Sequence, residues 1–142
     1  MPLSPLLFRS LIAVAFAAYA LDQLVPAFGL VSFDPEVETA LSWNYFGSAF
    51  SYTAQMVWFA LWSVSTVIGL IGLAFFWRPA RWILAATILA SFVIQPFLGL
   101  TIYAPFQATF ATLAGMITFW LTTVSFWSPL ASRFENPSAR VP

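Results

Sequence analysis

Four apolar stretches, each long enough to cross a bilayer, divide this chain, and every cationic side chain falls near or beyond their ends on what becomes one membrane face. The stretches cover about residues 6–29, 52–77, 82–103 and 106–127. A helix rising about 1.5 Å per residue needs about 20 residues to traverse the hydrocarbon core. No water is available there, so each spanning segment must satisfy its own backbone hydrogen bonds, and helices do so. The expected fold is an all-α integral membrane protein: a single membrane domain forming a four-transmembrane-helix antiparallel bundle.

The arginines set the orientation. Arg9, Arg78, Arg81, Arg133 and Arg140 are the five cations; lysine and histidine do not occur. Four crossings place all five together, while Asp34, Glu36 and Glu38 fall opposite. Arginine near a span end resists translocation, whereas acids contribute little, so the arginine face is expected to be cytoplasmic. This predicts a multi-pass protein of the bacterial inner membrane with both termini inside. Trp77, Trp82 and Trp127 flank the arginines as an aromatic belt. Arg9, the following apolar run and the small triplet Ala18-Tyr19-Ala20 also resemble a cleavable signal. The segment is read here as a retained first span.

Composition agrees. Hydrophobic residues make up 61% and charged residues 7% of the 142. A water-soluble domain carries about 25% charged residues, so this chain cannot cover a surface in water. Zero net charge gives no reason to expect nucleic acid or an acidic partner. Without cysteine there are no disulfides, thiolate nucleophiles or cysteine-held clusters. Without histidine, the commonest metal ligand and near-neutral proton shuttle are missing as well. No catalytic constellation is visible, and no metal or intrinsic cofactor is expected.

Residues 30–51 form the long external connection. Asp34-Pro35-Glu36 reads as a helix start, with an Asp cap, proline in the first turn and an acid behind it. Val37, Ala40, Leu41 and Tyr45 share a stripe, and Gly47 suits a stop. A short interfacial helix anchored by Trp43 and Tyr45 is expected there. Arg78-Pro79-Ala80-Arg81 reads as a tight turn, and residues 128–142 as a polar cytoplasmic tail. Pro26 is expected to bend or end the first span near the outer surface.

Few polar groups lie at membrane depth, and each admits a structural and a functional reading. Asp22, beside Gln23, is costly in hydrocarbon and so a candidate proton acceptor or headgroup partner. A position reaching interfacial water near Pro26 is the plainer reading. Gln55, Trp58 and Trp62 share one face of the second span, continued by Ser65, Thr66 and Gly69. An amide beside two indoles suits a flat ring such as a quinone or pigment; helix packing explains the same stripe. Gln95-Pro96 interrupts the third span and frees the carbonyl of Phe92, which a ligand or a neighbouring hydroxyl can take up. Small pairs at four-residue spacing permit close helix approach: Ala13 and Ala17, Ser65 and Gly69, Ala86 and Ala90, Ala111 and Gly115. Thr109, Thr112, Thr118, Thr122 and Thr123 offer interhelical hydrogen bonds in the fourth span.

The first span, with Arg9, Phe16, Ala20 and Gln23, resembles the opening of the DoxX-like family of small four-helix membrane proteins. That family typically has an arginine, an aromatic two turns later and a Gly-x-x-Lys ending, where this chain has Ala20 and Gln23. Gly69-Leu-Ile-Gly72 followed by Trp77-Arg78-Pro79-Ala80 is similar to the family's exit into its third span. The resemblance implies four spans, a long first external connection and a link to quinone-dependent redox systems.

Taken together, the residues suggest a non-catalytic membrane subunit of a larger, energy-transducing complex. Its partners would be other membrane subunits and lipids, and it would contact lipid, quinone or pigment. The Arg78/Arg81 turn and the tail would dock to neighbours. The alternatives are a quinone-linked redox component with a pocket between the second and third spans, and a small channel or transporter with a water path near Asp22.

Overall fold

The computed structural model describes residues 4–27, 49–98 and 105–135. The expected interfacial helix with Trp43 and Tyr45, the outer turn before Pro105, and Arg140 lie outside those residues. Four helices are long and apolar enough to cross a membrane. They are α1 (Pro5–Ala27), α2 (Tyr52–Ala74), α3 (Arg78–Ile94) and α4 (Pro105–Trp127), and a short α5 (Ala131–Glu135) follows. There is no strand among the described residues. The architecture is the all-α four-helix membrane bundle expected.

Local chemistry starts and stops these helices. Ser4 caps α1, its hydroxyl accepting the Leu7 N–H at 3.2 Å, and Pro5 fits the first helical position, where no N–H partner is required. Ser51 caps α2 likewise, accepting from the Ala54 N–H at 3.3 Å. The end of α2 is a Schellman motif: Trp77 N–H donates to the Gly72 carbonyl at 2.8 Å and Phe76 N–H to the Leu73 carbonyl at 3.0 Å. Phe76 occupies the left-handed position of that motif, with φ 53°.

The Arg78–Arg81 stretch differs from the expected turn. It is the first turn of α3, and the connection shrinks to Phe75, Phe76 and Trp77. Proline within the first turn of a helix loses no intrahelical bond, so Pro79 starts the helix instead of breaking it. At the other end of α3, Gln95-Pro96-Phe97 tightens into a 3₁₀ turn. The Phe97 carbonyl of that turn accepts the Ala49 N–H at 2.9 Å, tying it to the entry of α2. Pro26 lies inside the last turn of α1.

The bundle is built from two tight antiparallel pairs, α1 on α4 and α2 on α3, with sparser contacts between pairs. Gly69 and Gly72 make the α2–α3 pair close: Leu84 covers the first, and Ala80 and Trp77 cover the second. The pairs join at the arginine end, where Phe8, Ile12, Leu70, Leu73, Phe76, Leu84, Leu121 and Phe134 form one buried cluster. Only 22–28% of each spanning window is buried within the chain. Much of the rest is exposed and apolar, Phe92, Met116 and Phe119 included. Such a surface is stable in lipid, where it has no hydration to lose.

Candidate functional site

Two regions gather most of the chemistry that the described residues carry. The first is the arginine end. Arg81 is buried on α3; its side chain is 6% exposed, against 59% for its ion-pair partner Glu135 at 3.3 Å. It also donates to the Ser125 carbonyl at 3.4 Å. Its guanidinium lies 4.9 Å from the Phe126 ring centroid and 5.8 Å from that of Phe134. The apolar rings screen the cation from solvent while their faces attract it. Because Glu135 is largely exposed, solvent screening keeps the ion pair itself weak. The carbonyl and the ring contacts are what hold Arg81 in place.

Arg9 and Arg133 approach a different ring. Their guanidinium carbons lie 5.5 and 5.7 Å from the centroid of Phe76. Phe76 stacks on Phe8 at 5.8 Å and meets Phe134 edge-on at 5.2 Å. Arg9 Nε donates to the Ala74 carbonyl at 3.1 Å, taking up an orphan acceptor at the end of α2. Of the five arginines expected to mark orientation, Arg9, Arg78, Arg81 and Arg133 gather at one end of the bundle. Their proximity follows from the even number of crossings.

The second region is a groove between α1 and α2, about 260 Å³ in volume and open on one side. Phe16, Tyr19 and Ala20 line it from α1, and Trp62, Thr66 and Leu70 are among its α2 lining. Tyr19 meets Trp62 edge-to-face at 5.6 Å and 78°. The groove exists because α1 turns its buried stripe, Ile12, Ala15 and Ala18, towards α4, leaving α2 mainly to α3.

The polar groups singled out from sequence are distributed differently from the expectation. Gln55 is buried, and its side-chain amide donates to the Phe50 carbonyl at 3.2 Å, bracing the start of α2. Trp58 is half-buried on the same face but is not among the groove residues, whereas Trp62 is. Gln95 is exposed in the 3₁₀ turn. Asp22 is 7% exposed, and one of its carboxyl oxygens is fully buried. It lies beside Tyr19, which also faces Thr118.

The groove among the described residues lies between the first and second spans, whereas the pocket expected from sequence lay between the second and third. Gly69 and Gly72 bring the second and third spans close at the arginine end. Tyr19, the groove and the hub at Phe76 went unrecognised in the sequence. The i, i+3 spacing of Phe16 and Tyr19 put them on one stripe, but nothing in it announced which neighbour they would face.

Among the described residues there is no group of three or more His, Cys, Asp or Glu side chains placed to hold a metal. Comparison with protein-family models, with curated proteins and with solved structures yields no match.

Proposed function

We propose that the chain is a non-catalytic integral membrane subunit that packs within, and stabilises, a larger membrane complex of the bacterial inner membrane. The α1–α2 groove would contact lipid, quinone or pigment. One observation carries the reading: four hydroxyls of α3 and α4 turn back on their own helices, and the large side chains on the outward surface are apolar. Thr87 donates to the Ile83 carbonyl, Ser91 to Thr87, Thr122 to Thr118 and Ser125 to Thr122, all at 2.6–2.8 Å. Groups used in this way brace helices for packing. Membrane subunits that fill positions between neighbours need such rigid, apolar exteriors.

The test is affinity purification of a tagged copy from its native membrane in mild detergent. Defined membrane subunits at constant stoichiometry are the expected result. A chain recovered alone, monodisperse and fully folded would overturn the reading.

The second reading is a quinone-linked component of DoxX-like type. The aromatic groove favours it, since a flat ring can pack against the Tyr19–Trp62 pair that lines it. The chain would then rely on a partner for its electron carrier. Trp62→Ala should lower quinone-linked turnover of the intact membrane severalfold; unchanged turnover removes this reading.

A further inference from the structure

The seam between α1 and α2 links the arginine end to the groove. Arg9, Phe16 and Ala20 lie at i, i+7 and i+11 on α1, which puts them along one stripe. Ala74, Leu70 and Ser63 have the same spacing on α2. The two stripes meet at the Arg9–Ala74 hydrogen bond and, deeper in the membrane, become the walls of the groove. Eleven residues of helix span about 16 Å, close to the hydrocarbon depth of a single leaflet.

We propose that this seam binds one anionic phospholipid from the leaflet at the arginine end. Arg9 holds the phosphate, Arg133 adds positive charge at the same end of the bundle, and one acyl chain lies in the groove. The proposal rests on the preceding reading only for its use of the groove. Its failure would leave the packing role intact.

Three observations select this ligand. Arg9 is exposed, and its Nε–H donates to the Ala74 carbonyl, which holds the guanidinium at the surface of the seam. A guanidinium is suited to a phosphate. The guanidinium carbons of Arg9 and Arg133 lie 5.5 and 5.7 Å from the Phe76 ring centroid, which puts both cations at this end of the bundle. Arg9, Arg78, Arg81 and Arg133 share this end with Glu135 as its described acid, leaving an excess of positive charge. The groove itself is walled by apolar groups, as a hydrocarbon chain requires, and at about 260 Å³ it is too narrow for a helix about 10 Å across. A free phosphate would occupy only the rim and a quinone ring only the groove. A phospholipid fills both.

The experiment reconstitutes the full chain in phosphatidylcholine bilayers containing a minority of brominated-chain lipid, either phosphatidylglycerol or phosphatidylcholine. The signal is quenching of that part of the tryptophan emission which Trp62→Phe removes. Phosphatidylglycerol is expected to quench it about fivefold more effectively, the effect of one arginine near an anionic surface. Arg9→Gln should abolish most of that preference and Arg133→Gln part of it, with helical content unchanged by circular dichroism. Ala20→Leu, which fills the groove, should remove the Trp62 signal for both lipids. Equal quenching by the two lipids in the native chain overturns the proposal. So does a preference that survives both arginine variants, or quenching that persists in Ala20→Leu. Loss of the preference in inorganic phosphate at the headgroup's concentration would make the rim a site for free phosphate, and also overturns it. Recovery of partner subunits with Arg9→Gln reads the packing role separately.

Discussion

Phe76 combines a strained backbone with a central ring. A φ of 53° costs a non-glycine residue about 1–3 kcal/mol, and glycine is the usual occupant of this helix-terminating position. The side chain compensates: it is 1% exposed, stacks on Phe8, abuts Phe134 and receives two guanidinium groups. Removing the ring should cost about 3–5 kcal/mol, as for other buried aromatics. Phe76→Gly and Phe76→Ala create nearly the same cavity, but only glycine relieves the strain. Phe76→Gly is therefore expected to be the more stable of the two by about 1 kcal/mol. Denaturant titration in detergent, followed by circular dichroism, measures the order. An alanine variant as stable as the glycine variant would show that the backbone strain contributes nothing. At this scale the sequence was a partial guide. Asp22 and Gln55 stood out because polar groups are costly in hydrocarbon, whereas Phe76, one of 16 phenylalanines, looked like any other.

Small residues decide how closely the helices approach, and their spacing alone does not say which are used. Gly69 and Gly72 are buried against α3, while Ala13, Ala17, Ala86 and Gly115 face outward. A methyl group at Gly72 would meet the Cβ of Ala80, which is fixed to the backbone and cannot swing aside. Gly72→Ala should lose about 1–3 kcal/mol through overpacking, despite alanine's higher helix propensity. At Gly115 an added methyl meets nothing within 4 Å. Gly115→Ala is expected to be neutral or to gain up to about 1 kcal/mol. The same unfolding titration compares the two; equal effects would contradict the α2–α3 packing described here. The start of α3 illustrates the same ambiguity. Arg78-Pro79 reads as a turn, yet proline in a first helical turn is as compatible with a helix, and the Schellman motif before it makes a separate loop unnecessary.

On the scale of the molecule, four crossings put Ser132 on α5 and Ser51 before α2 at opposite ends of the bundle. Because the chain has no cysteine, single-cysteine variants report cleanly. With the arginine end cytoplasmic, a membrane-impermeant maleimide added to intact cells with a permeabilised outer envelope should label Ser51→Cys and spare Ser132→Cys. Labelling of Ser132→Cys from outside would reverse the orientation. The bundle's stability is also uneven along its length. Its buried aromatic cluster lies at the arginine end, where both helix pairs meet, while the α1–α2 seam opens towards the middle. Apolar length and arginine placement were enough to establish that the chain is a four-span helical bundle with its described arginines at one end. Hydrocarbon thickness and the cost of moving guanidinium groups act on the chain one segment at a time. Which helices pair, where the groove opens and why Phe76 bears its strain were decided only by the tertiary structure. In lipid, nearly every helix face is apolar, so hydrophobic patterning carries no address, and contact is chosen by local fits such as Gly72 against Ala80.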